Sequence, residues 1–181
     1  MTEEHYSFHE SEATVRLQSV VDAFIHRATA AYSHLPGMHV DRINSPANNR
    51  NLVLSRCAHY CLDHEDVLPA LVKDIKDFLI GLGTPVIVGA ANEYNGKVYD
   101  LVGPSRHHHV IQLIRHSTKD RSELATMTEG FVIYDVRNSP DKQFIARKTA
   151  YDLAVKNGQL QRIKGNKYYQ GSELFSEDLW L

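Results

Sequence analysis

Apolar residues recur every three or four positions through the first half of the chain, and the period drops to two just after residue 83. From Glu12 to Tyr32, Leu17, Val20, Val21, Phe24, Ala28 and Ala31 make one stripe, with Arg16, Asp22 and Arg27 outside it. That spacing predicts an amphipathic helix. His34-Leu35-Pro36-Gly37 ends it, and 38–51, with Asn44, Pro46, Asn48 and Asn49, carries no sustained period. A long loop is expected there, lying over a pocket. A second helix is predicted over about 51–62 and a third over about 66–82, where Pro69 fits only in the first turn.

Beyond Thr84-Pro85, the short apolar run 86–91 has the length of a strand, and Lys97-Val98-Tyr99-Asp100-Leu101 alternates at period two. Asn95-Gly96 between them is the pair that a tight hairpin turn favours. A helix over 106–117, a strand over 130–136, a turn at 138–141, a brief strand at Phe144-Ile145 and a helix over 146–157 follow, with Gly158 as the C-terminal stop. Leu174-Phe175-Ser176-Glu177-Asp178-Leu179-Trp180 is too apolar for a frayed end and is expected to dock. The pattern predicts an α+β fold. A helical part of about three helices, 1–83, packs as one compact unit on a small mixed part, 84–181, that carries the hairpin, with a ligand pocket between them.

With 43% hydrophobic residues, 181 residues bury one sizeable core. A formal net charge of −2 supplies no general attraction to nucleic acid or anionic membrane, so neither is an expected partner. No charged leader with an apolar core and no membrane-length apolar run is seen, which predicts a cytoplasmic protein. Cys57 and Cys61 sit four residues apart and share one helical face with His64. Small cysteines on an apolar face are expected as core thiols, so neither metal nor cofactor is anticipated.

The densest chemistry is Arg106-His107-His108-His109, behind Gly103-Pro104-Ser105 and ahead of Val110-Ile111-Gln112-Leu113-Ile114. Ser105 suits an N-cap, and the unpaired N–H groups of a helix start, with its dipole, favour a phosphate or carboxylate. His107 shares a face with Ile111 and Ile114 and should turn toward the core, while His108 diverges by about a third of a turn. Arg147 opens a second helix and suits a bidentate grip on phosphate, unless Glu129 or Asp152 pairs with it. Gln159 and Tyr168 are candidates for a base or a ribose. His116-Ser117-Thr118 is one copy of a pattern that two-histidine phosphoesterases use twice, and the second copy is missing.

The order Asn95-Gly96-Lys97-Val98-Tyr99, Arg106-His107-His108-x-Val110-Ile111, Glu129-Gly130-Phe131, Phe144-x-x-Arg147-x-x-Ala150, Gly158-Gln159 and Ser176-Glu177-Asp178-Leu179-Trp180 resembles a widespread group of small phage and prophage proteins of unassigned function. The resemblance covers about half the chain and implies a compact accessory protein acting in the cytoplasm of an infected host cell. A looser similarity, in size, origin and phosphate pocket, is to phage counter-defence proteins that capture nucleotide-derived immune signals.

Three functions are open at this point. The first is sequestration of a nucleotide immune signal, with Arg106, His107, His108 and Arg147 on phosphates and Gln159 or Tyr168 on base or ribose. The second is cleavage of a phosphodiester or glycosidic bond, with His107 and His108 as general acid and base. The third is inhibition of a host protein through 44–49 and the aromatic tail. A homodimer with paired sites is also expected.

Overall fold

The structure is a computed structural model that describes residues 12–33, 50–63, 69–118, 126–139, 141–161 and 171–180. Three helices come first: α1 (Glu12–Tyr32), α2 (Arg50–Asp63) and α3 (Pro69–Gly81). Then come β1 (Val86–Tyr94), β2 (Lys97–Val102), α4 (His107–Ser117), β3 (Thr128–Tyr134), β4 (Gln143–Ala146) and α5 (Arg147–Asn157), and a 3-10 turn at Ser176–Asp178. The fold is α+β, with an antiparallel sheet ordered β2-β1-β3-β4.

Alternation along β1 assigns the two faces of the sheet. Val86, Val88 and Ala91 point toward α1, α2 and α3, where Leu17, Phe24, Leu54, Cys57, Ile75 and Phe78 complete one core. Ile87, Ala90 and Tyr94 point the other way, toward Val110 and Ile114 of α4, Ala150 and Ala154 of α5, and Leu174, Leu179 and Trp180. The C-terminal stretch therefore docks as its apolar content predicted, with Trp180 only 1% exposed. Burying side chains of this size stabilises by about 1.5–3 kcal/mol each.

β1 runs three residues beyond the predicted strand because neighbours on both sides pair with it, Asn92 lying opposite Tyr99 and Glu129. Cross-strand pairing overrides the weak strand preference of Asn92 and Glu93. The predicted hairpin is present, with Asn95 and Gly96 at φ 50° and 71°. Both values belong to the primed turn that matches the sheet's twist. The predicted loop 38–51 lies outside the described residues up to 49, and its last two residues are the first turn of α2.

Polar side chains of α2 and of the segment after α5 join the helices to the sheet. Ser55 Oγ donates to Val88 O at 2.5 Å and accepts from Gly103 N at 3.0 Å. Asn51 Nδ2 donates to Gln159 O and Leu179 O, at 2.7 and 2.8 Å. Arg50 Nε and Nη2 donate to Gly158 O at 3.3 and 3.2 Å, neutralising the carbonyl end of α5. Gly158 adopts φ 77°, and a Cβ there would stand 2.4 Å from Ala13 O of α1. Glycine alone permits both the left-handed cap and the close passage of α1.

Candidate functional site

Arg106, rather than the expected Ser105, caps α4. Its backbone is extended, at φ −117° and ψ 166°, and its N–H donates to His109 Nδ1 at 3.0 Å. An imidazole three residues into the helix thus performs the return half of a capping box, which displaces serine from the role. His107, Val110 and Ile114 form the buried face of the helix. The histidine triplet separates accordingly. His107 is 6% exposed, while His108 and His109 are exposed with their rings 3.9 Å apart.

His107 Nε2 donates to Gly130 O at 2.8 Å, and its ring meets Phe131 edge-on at 4.9 Å. With Nε2 carrying the hydrogen, neutral Nδ1 presents a lone pair, and that atom is buried without a partner among the described residues. Burial lowers the His107 pKa below the usual imidazole value, opposed by the Gly130 carbonyl. The Arg147 charge lowers it further, and Glu129 and Glu177 raise it. All three charged groups therefore act on this one imidazole.

Each arginine is held by a carboxylate. Arg147 Nη2 lies 2.8 Å from Glu129 Oε2, and Arg106 Nη1 lies 3.3 Å from Glu177 Oε1. The Arg147 guanidinium stacks over Phe175 at 4.5 Å, and its backbone carbonyl accepts Leu174 N at 3.1 Å. Arg106 Nη2 reaches Trp180 O at 3.4 Å. Both arginines are thus attached to the docked stretch from Leu174 to Trp180, one through Phe175 and the other through Glu177. Burial pushes the Glu177 pKa up, but its own backbone N–H, the Ser176 hydroxyl and Arg106 together hold it below the ordinary carboxylate value.

The floor of the cluster is a polar row across the sheet. Tyr99, Asn92 and Glu129 stand opposite one another on β2, β1 and β3, and Arg147 follows at the end of β4. Asn92 is fully buried; its Nδ2 has only the Met127 sulfur at 4.0 Å, and its Oδ1 has no partner among the described residues. Gly130 permits the strand crossing beside His107, since a Cβ there would stand 2.3 Å from Ile145 O.

Of the sequence-predicted residues, Arg147 acts on His107 directly, and Arg106 is linked to them through Glu177, whose charge also acts on His107. His108 lies on the exposed side of α4. Gln159 lies elsewhere, fully buried, with Nε2 donating to Ile87 O at 3.0 Å and Oε1 accepting from Ile87 N at 2.9 Å and Asn157 Nδ2 at 2.7 Å. Tyr168, with His64 and 44–49, lies outside the described residues. Cys57 and Cys61 are core thiols, and burial pushes the Cys57 thiol far up, away from reactivity. Glu177 and Phe175 were not singled out as site residues. Their only signal was an acidic residue and an aromatic inside a stretch otherwise built to dock.

Residues 86–180, which hold the whole cluster, match the family model of the phage T4 y16D protein. The chain belongs to that family. The match begins at the first strand and ends at the buried Trp180, so it spans the sheet, α4, α5 and both arginines. No curated protein and no solved structure matches the chain. Among the described residues, no helix is long and apolar enough to cross a membrane.

Proposed function

We propose that this phage protein captures a phosphate-bearing nucleotide at the Arg106–His107–Arg147 cluster and sequesters it from the host as a nucleotide immune signal. One observation carries the reading. Two arginines, each paired with a carboxylate and both tied to the Leu174–Trp180 stretch, accompany a buried histidine whose Nδ1 has no partner among the described residues. Guanidinium forks suit phosphate oxygens bidentately, and the start of α4 adds N–H groups and a dipole of the right sign. Phosphate takes over from Glu129 or Glu177 as the arginine's partner. His107 Nδ1 accepts a ribose hydroxyl. Gln159 is left out of this cluster, because its amide is committed to the β1 backbone.

The cleavage reading needs His107 and His108 on the same ligand. One is buried and the other exposed, so sequestration is preferred. A host-protein inhibitor acting through the aromatic tail would need a tail free to engage, and Leu174, Leu179 and Trp180 are in the core. The test is to mix purified protein with ADP-ribose, its cyclised forms and cyclic dinucleotides, isolate the protein by gel filtration, and weigh the co-eluting nucleotide by mass spectrometry. Intact recovery supports sequestration, a changed mass supports turnover, and co-elution of none of them removes the proposal.

A further inference from the structure

At the opposite end of α5 from Arg147, about 15 Å away at 1.5 Å per helical residue, lies a cavity of 310 Å³. It sits on the other face of the sheet, where α1, α2 and the end of α3 meet the end of α5. Its floor is apolar and buried, from Leu17, Leu54 and Val86, and its rim carries exposed Arg16 and Lys156. Neither cation has an ion pair or hydrogen bond among the described residues. Among the described residues Glu12 is the only acidic one on the lining, so Glu12, Arg16 and Lys156 together carry a net single positive charge. The polar groups at its inner wall, Asn157 and Gln159, are already hydrogen-bonded to one another and to the backbone of Pro85 and Ile87. They supply shape and no open demand for a polar ligand.

We propose that this cavity is a second binding site, separate from the arginine cluster, for a small amphipathic monoanion: a carboxylate joined to a compact apolar body. The volume lies at the lower end of the range for small-molecule pockets, about 300–1,000 Å³. An apolar body displaces water from Leu17, Leu54 and Val86, while the carboxylate stays at the rim between Arg16 and Lys156. A multiply charged phosphate is disfavoured, since it would have to lie on an apolar floor or beside Glu12.

The experiment is calorimetric titration of the full chain with decanoate and with decanol, which shares the apolar body and lacks the charge. Saturable binding of one decanoate per chain is expected, weakened roughly 3- to 30-fold by Arg16→Ala with Lys156→Ala, two solvent-screened charge contacts. Val20→Trp, an exposed rim position on α1, fills the cavity and should abolish binding while leaving the melting curve unchanged. Decanol should bind more weakly by the same factor as the double variant. The proposal is overturned by absence of saturable decanoate binding, by decanol binding as tightly as decanoate, or by a decanoate affinity indifferent to both variants. Because the probes carry no phosphate, this outcome is independent of the nucleotide reading.

Discussion

Replacing Gln159 with leucine separates a residue that builds the fold from one that would read a ligand. The side chain is fully buried, and its amide donates to Ile87 O and accepts from Ile87 N at 3.0 and 2.9 Å. β2 pairs with β1 only as far as Val102 opposite Gly89, so the amide stands where β2 would have continued. Leucine keeps most of the volume and leaves both backbone groups of Ile87, itself fully buried, without partners. Each such group costs about 1–3 kcal/mol, giving a loss of roughly 2–6 kcal/mol. For a chain of this length that lowers the melting temperature by roughly 5–20 °C. Thermal melts followed by circular dichroism measure it. A variant melting within about 2 °C of the parent would refute the reasoning and return Gln159 to the list of candidate ligand contacts.

Three further outcomes are expected. Because burial lowers the His107 pKa in the folded state, the unfolded chain takes up the proton first, so this residue removes stability as pH falls below about 6.5. His107→Gln should flatten that acid-side decline in denaturant midpoints, and an unchanged slope would contradict the burial of a neutral imidazole. Gly130→Ala places a Cβ against Ile145 O and the Phe144 ring and should cost about 1–3 kcal/mol in urea unfolding, with neutrality ruling out the tight β3–β4 crossing. Glu177→Gln removes the counter-charge on Arg106 and should raise nucleotide affinity by roughly 2- to 5-fold, whereas a fall would make Glu177 a ligand contact in its own right.

The elements were legible where one physical signal dominated. The α1 stripe, the Asn95-Gly96 turn and the Gly158 cap each have a local cause, and each is where the pattern placed it. Strand length was not legible, because Asn92 and Glu93 are strand residues only through pairing with β2 and β3. The α4 cap misled for a similar reason. Ser105 had the better intrinsic preference, but His109 reaches back to the Arg106 N–H and moves the start by one residue. In the cluster, Arg106, His107 and Arg147 were visible as charges at helix starts. Glu129, Phe175 and Glu177 come from strand and tail positions that only tertiary packing brings together, and the Arg147–Glu129 pair was foreseen only as an alternative to ligand binding. Gln159 is the reverse case, a polar residue whose side chain substitutes for a missing strand neighbour.

The most direct test of the central claim is calorimetric titration of the parent, Arg106→Ala and Arg147→Ala with the nucleotide panel. The account predicts one-to-one binding of at least one nucleotide, weakened more than about tenfold by either substitution, since each removes a charge-assisted contact worth roughly 1.5–3 kcal/mol. Binding that is unaffected by both substitutions, or absent across the panel for the parent, would contradict it.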